Sequence, residues 1–229
     1  MFPISLKKIA ISFAMFVVFI LGSSVVANAT PVVFTLTNGN PGLNSCAGCT
    51  GPYATVTVTQ TSSTTATISF QGLTQGTNIY LFGGGGIVGL NFNGGPVTVS
   101  GAFPAETSGG GAANEDGFGS FNFTLDNFDG FTHAVSSLSF NVECLSCNWL
   151  ADSSNVLTPN ASGNSVAAHI FVSCPNCTDA RATGFATNGS TPSTETPEPA
   201  TMLLLGTGLA GVATGLRKRH KSLRRKRTK

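Results

Sequence analysis

Apolar and polar residues alternate with a period of two through much of the segment between residues 30 and 190. Thr55-Val56-Thr57-Val58-Thr59 alternates without a break, and Thr67-Ile68-Ser69-Phe70 repeats the pattern. Phe121, Phe123 and Leu125 fall on one predicted face, with Asn122, Thr124 and Asp126 on the other. Leu138, Phe140 and Val142 likewise alternate with Ser137, Ser139 and Asn141. Successive side chains of an extended strand point to opposite faces, so each run predicts a half-buried strand. Val32–Leu36, Ile79–Phe82, Val88–Phe92, Val97–Val99 and Ala167–Val172 predict further strands. Between them lie Gly, Asn, Ser and Pro clusters that favour turns, and no window carries a 3.6-residue apolar stripe. The pattern predicts an all-β fold, an antiparallel β-sandwich of jelly-roll-like order with phenylalanine as the main core filler.

Two continuous apolar stretches interrupt the alternation, one at each end. Lys7 and Lys8 precede Ile9–Leu21, and Ala27-Asn28-Ala29 supplies a small-x-small site. Together they predict a signal peptide over residues 1–29, cleaved after Ala29, with an uncleaved N-terminal helix as the alternative. At the other end Met202–Leu216 is apolar almost throughout. With Ala200 and Thr201 it just reaches the ~17 residues needed to cross a hydrocarbon core of ~30 Å. A single-pass transmembrane helix is therefore predicted at about residues 200–216. Every residue of Arg217-Lys218-Arg219 and Arg224-Arg225-Lys226-Arg227 resists translocation, which keeps the tail cytoplasmic and places everything before Pro197 outside. The organisation read from these signals is an exported domain at 30–190, a Thr/Ser/Pro linker at 191–196, a sorting segment at 197–221 and an extra basic tail at 222–229.

The tail resembles the PEP-CTERM protein-sorting signal of Gram-negative bacteria, also described as the ice-binding protein C-terminal domain. The resemblance rests on Pro197-Glu198-Pro199-Ala200-Thr201, on Leu203-Leu204-Leu205-Gly206 with Gly208 and Gly211, and on the basic terminus. It covers about residues 196–221, and Lys221–Lys229 extends beyond the family's usual few basic residues. The resemblance implies recognition by an exosortase, a membrane-embedded sorting enzyme that supplies its own catalytic residues. It also implies export through the inner membrane, with a C-terminal anchor in the precursor and delivery to the envelope surface or an exopolysaccharide matrix. The name's reference to ice comes from the tail and carries no evidence of ice binding. Thr55, Thr57, Thr59 and Thr61 form a single ladder with no 20–50-residue repeat behind it, and read as a half-buried strand.

Charge changes the picture once the ends are set aside. Of the twelve Lys and Arg residues, only Arg181 lies between Thr30 and Thr196. Nine acids share that segment: Glu106, Glu115, Asp116, Asp126, Asp129, Glu143, Asp152, Asp179 and Glu195. The exported domain is strongly acidic and repels phosphate backbones, which excludes nucleic acid as a partner.

The six cysteines share one spacing: Cys46 with Cys49, Cys144 with Cys147, and Cys174 with Cys177. Zinc would take two pairs and leave a third over, while a thioredoxin-like site needs its cysteine at a helix N-terminus. In an exported chain, structural disulfides fit the six best. Each inner dipeptide suits a β-turn, whose first and fourth Cα atoms lie within ~7 Å, so each pair can close on itself. Pairing between loops is the alternative.

Catalytic chemistry is sparse. His169 sits in a predicted strand as a half-buried structural residue, and His133 in a loop. Gly83–Gly86 and Gly109–Gly111 lack the Lys-Ser/Thr of a phosphate loop and read as flexible loops. Asp126-Asn127-Phe128-Asp129-Gly130 has the wrong spacing for a calcium loop. A surface Ca²⁺ site from Asp126, Asp129 or the pair Glu115 and Asp116 is the lesser reading beside a solvated acidic loop, and no metal or cofactor is assigned. The expectation is a non-enzymatic structural or adhesive surface protein. The alternative is a carbohydrate-binding module using Tyr53, Tyr80 or Trp149 as stacking rings, with a glycoside-active enzyme using paired carboxylates third.

Overall fold

A computed structural model describes residues 29–101, 108–126, 130–149, 152–189 and 193–194. The predicted signal helix, the transmembrane helix and the Pro197-Glu198-Pro199 motif lie outside the described residues. Among the described residues no helix is long and apolar enough to cross a membrane. In chain order the strands are β1 (Val32–Leu36), β2 (Asn38–Gly39), β3 (Ala54–Gln60), β4 (Thr65–Gly72), β5 (Thr74–Gln75) and β6 (Asn78–Phe82). They continue with β7 (Gly86–Leu90), β8 (Val97–Ser100), β9 (Ser108–Gly109), β10 (Ala113–Glu115) and β11 (Gly119–Phe121). The last are β12 (Phe123–Asp126), β13 (Ser137–Cys144), β14 (Val166–Ser173), β15 (Ala182–Thr187) and β16 (Ser193–Thr194).

Two antiparallel sheets carry most of these strands. The first has the order β16-β1-β3-β4-β13-β8, and the second β2-β15-β14-β7-β12-β9, with β6 also paired to β14. Both turn one face toward a single apolar core. Val56, Ile68, Phe70 and Phe140 come from the first sheet, and Tyr80, Phe82, Leu90 and Ile170 from the second. Phe70 of β4 meets Phe82 of β6 edge-on at 5.8 Å between ring centroids, and stacks on Phe140 at 6.3 Å. Each buried ring contributes about 1.5–3 kcal/mol by leaving water, so this seam holds the sheets together. The all-β, antiparallel expectation holds. The jelly-roll order is not shown: β1, β3 and β4 are consecutive neighbours in one sheet, whereas a jelly roll is built of two Greek keys.

Three local departures from the sequence reading have physical causes. Phe121 does not share the inner face of Phe123 and Leu125. The Asn122 side chain accepts from Phe92 N and donates to Phe92 O, both at 2.8 Å. It thereby replaces a backbone ladder, ends β11 and starts β12 on the opposite side. Of Gly83–Gly86, expected as a flexible loop, Gly86 opens β7, and residues 83–85 join it to β6. Both β6 and β7 pair with β14 along the same edge, with Phe82 opposite Ile170 and Val88 opposite Ala168, so the glycines are an insertion within one interrupted strand. Finally, Ser193 and Thr194 pair with Val33 and Val32, inside the segment read as a linker.

The threonine ladder also extends further than the sequence suggested. Thr57 lies opposite Ser69, and Ser69 opposite Ser139, so the first sheet's outer face carries hydroxyls across three strands.

Candidate functional site

The chemistry gathers on the outer face of the second sheet, under the hairpin β10–β11. Its turn is pinned by asparagines. Asn160 and Asn164 donate to Phe118 O at 3.1 and 3.0 Å, and Asn40 donates to the Asp116 carboxylate at 3.2 Å. The hairpin thus lies across β7, whose two glycines leave it room. A Cβ on Gly89 would stand 2.7 Å from Glu115 Cγ and 3.0 Å from the Phe121 ring. A side chain at that position would lift the hairpin away.

Gly86 makes a second hollow beside the first. A Cβ there would lie 3.4 and 3.6 Å from the two Glu115 carboxylate oxygens and 3.9 Å from Asp126 Oδ1. The register between β12 and β7 shifts between Leu125 and Asp126, so Asp126 faces Gly86 instead of Ile87. Two carboxylates from separate strands therefore flank one small space. Glu115 is 2% exposed, and its Oε1 has no hydrogen-bond partner. Burial, and then the negative charge of Asp126, push the Glu115 carboxyl up to about 7. The sequence expectation of a solvated acidic loop is corrected at Glu115, because the hairpin folds this residue inward over the glycines. Asp116, its neighbour, stays exposed, and Asp129 lies outside the described residues.

His169 occupies the same sheet face. Its ring stacks on Phe185 at 4.7 Å and tilts against Phe171 at 5.1 Å. Nε2 lies 2.8 Å from Thr183 Oγ1. The imidazole is half-buried in an aromatic shelf, while His133 is exposed in the short turn Phe131–His133. Arg181 hydrogen-bonds Asn78. An open groove of about 390 Å³ runs past Phe92, Pro96, Val97, Gly110 and Asn122, and its lining carries no acid, base or nucleophile.

The structure places the predicted stacking rings elsewhere. Tyr53, Tyr80 and Trp149 are 1%, 0% and 1% exposed, so none presents a ring face to a ligand. Tyr80 OH donates to Thr50 O at 2.8 Å, and Trp149 Nε1 donates to Asn93 O at 2.8 Å. Burying a ring whose polar tip has a partner is favourable, and these three residues serve the core.

The cysteines come together within each Cys-x-x-Cys and not between loops. Cα separations are 5.4 Å for Cys46 and Cys49, 5.4 Å for Cys144 and Cys147, and 5.0 Å for Cys174 and Cys177. Two of the three segments close as hydrogen-bonded turns, with Cys49 N donating to Cys46 O at 3.1 Å and Cys177 N to Cys174 O at 3.0 Å. The third departs from a plain loop turn, because Cys144 is the last residue of β13. The pairs also differ in burial. Cys49 and Cys144 belong to the core, Cys46 and Cys147 pack half-buried against it, and Cys174 and Cys177 are both half-buried after β14. No described cysteine is left free.

No sequence signal identified the Glu115–Asp126 pair as a buried site. The glycines at 86 and 89 were the trace available, because a strand glycine often marks a close approach by another part of the chain.

No curated protein and no solved structure matches the chain. A family model matches at the C-terminus, on the same polar-apolar-basic tail. Residues 195–219 match the family of the PEP-CTERM protein-sorting motif, and the chain thus carries a PEP-CTERM signal, which implies export and sorting to the cell surface by an exosortase.

Proposed function

We propose that the domain at residues 30–190 is a structural or adhesive unit of the cell surface or its exopolysaccharide matrix, without enzymatic activity. The sorting motif at residues 195–219 carries this reading. The supply of reactive groups supports it. Acid–base and nucleophilic catalysis need a base or nucleophile that a substrate can reach. Here the cysteine sulfurs are paired off, and His169 is packed among Phe171, Phe185 and Thr183. The acid pair Glu115 and Asp126 offers no ready glycosidase, since Glu115 is covered by its own hairpin and stands clear of the open groove. A carbohydrate-binding role would have to use the half-buried Phe185 and Phe131 on the second sheet's outer face.

Replacing Pro197-Glu198-Pro199 by alanines tests the sorting step. The expected outcome is a precursor that keeps its tail and stays in the membrane, whereas the wild-type chain ends near Pro197–Thr201. Mass spectrometry of the C-terminus decides between them, and secreted native protein that still ends at Lys229 would sink the reading. Turnover of the host's own exopolysaccharide, abolished by a single Glu→Gln or Asp→Asn change, would replace the structural role with an enzymatic one.

A further inference from the structure

We propose that Glu115 and Asp126 hold a hard divalent cation, Ca²⁺, in the hollow over Gly86. Two buried polar side-chain atoms lack partners among the described residues, Gln60 Oε1 and Glu115 Oε1. Gln60 is a neutral amide already fixed through its nitrogen, which donates to Ser62 O and Trp149 O, both at 2.8 Å. Glu115 is different, because its orphan atom belongs to a carboxylate and points into the space that Asp126 also borders. A buried carboxylate is costly unless something positive accompanies it. Arg181, the sole Lys or Arg between residues 30 and 196, hydrogen-bonds Asn78.

The donor set selects the ion. Only oxygen is offered, from two carboxylates on an irregular stretch of sheet, and that suits Ca²⁺ over softer metals or the strict octahedron of Mg²⁺. Among the described residues no three His, Cys, Asp or Glu side chains converge. Water and backbone oxygens therefore complete the shell, and the low ligand charge places the affinity in the weak range of extracellular modules, on the order of 10⁻⁴–10⁻³ M. Asp126 is only half-buried, which leaves the ion a way in. Bound there, Ca²⁺ joins β10 to β12 and clamps the hairpin over β7.

Thermal unfolding of the full chain in detergent tests the site. With CaCl₂ at about 10 mM, well above that affinity range, the midpoint should rise by roughly 3–6 °C relative to EDTA at matched ionic strength. Glu115→Gln and Asp126→Asn should each abolish the rise, while Asp116→Asn, altered at an exposed position next door, should keep it. If Glu115→Gln fails to fold, Asp126→Asn decides alone. No rise in the wild type, a rise that NaCl reproduces, or an equal rise in Asp126→Asn would each overturn the proposal.

Discussion

On the outer face of the first sheet, Thr67 donates to Asn141 across β4 and β13 at 2.8 Å, and the Ser69 and Ser139 hydroxyls meet at 2.8 Å. On the outer face of the second sheet, His169 stacks among phenylalanines and Glu115 lies buried with an orphan oxygen. Both faces carry polar residues on strands, and both back onto the same core. The difference is what covers them. Water and neighbouring hydroxyls satisfy the first face, so its polar groups settle into short cross-strand bonds. The hairpin β10–β11 removes water from part of the second, leaving a charge-bearing group without a matching partner. A polar residue on a strand thus says little about function until its cover is known, and the informative group is the buried one.

Both faces back onto one core through Phe70, which lies at the seam between the sheets. Phe70→Ala should destabilise the domain by about 3–5 kcal/mol, the range for truncating a buried phenylalanine. Phe70 touches Phe82 across the sheets and Phe140 within its own. Hydrogen exchange should therefore show lost protection in β6 as well as in β4. Loss confined to the first sheet would mean that the sheets are energetically separate.

On the covered face, stability should depend on the protonation of Glu115. The folded Glu115 carboxyl titrates at about 7, against a reference value of 4.5, so between these limits the folded state binds more protons than the unfolded one. The neutral carboxyl's contribution is fully present below about pH 4.5 and is lost as pH rises through about 7. In chelator, stability should fall across that window by on the order of 3 kcal/mol, and Glu115→Gln should flatten the curve. Urea unfolding at the two ends of the window measures this. A wild-type curve as flat as that of the variant would mean that Glu115 is solvated like the first face.

Why one face was legible and the other was not follows from the same contrast. β1, β3, β4 and β13 alternate in sequence because water lies on one side of them, and the burial of β1 and β3 alternates residue by residue. β14 is buried at seven of eight positions. Its partner β15 has the sequence Ala-Thr-Gly-Phe-Ala-Thr, where the inward positions Ala182, Gly184 and Ala186 are too small to show as an apolar alternation. The hairpin β10–β11 is short, Gly-rich and acidic, which reads as solvent-exposed loop. Its burial depends on Gly86 and Gly89 lying beneath it, a contact between segments far apart in the chain that no local pattern encodes. The cysteines were legible for the opposite reason, since Cys46 with Cys49 and Cys174 with Cys177 meet across turns at a sequence separation of only three. Tyr53, Tyr80 and Trp149 show the converse problem. Composition identifies them as scarce aromatic rings but cannot say which way they face.

The open face of the first sheet should tolerate the loss of a hydroxyl. Ser69→Ala removes the cross-strand hydroxyl contact with Ser139 without opening a sizeable cavity, because the β-carbon stays and only the hydroxyl oxygen is lost. Ser69 is half-buried on the polar face, so water can replace the missing partner, and Ser139 is not stranded. A deleted hydrogen bond is costly when the group left behind cannot be solvated, and nearly neutral when it can. The change should therefore stay within about 0.5 kcal/mol, as for most surface substitutions. A loss well above about 1 kcal/mol in urea unfolding would show that the hydroxyl rows are sealed from water. The first sheet's outer face would then be a second covered surface, with its own cover still to be found.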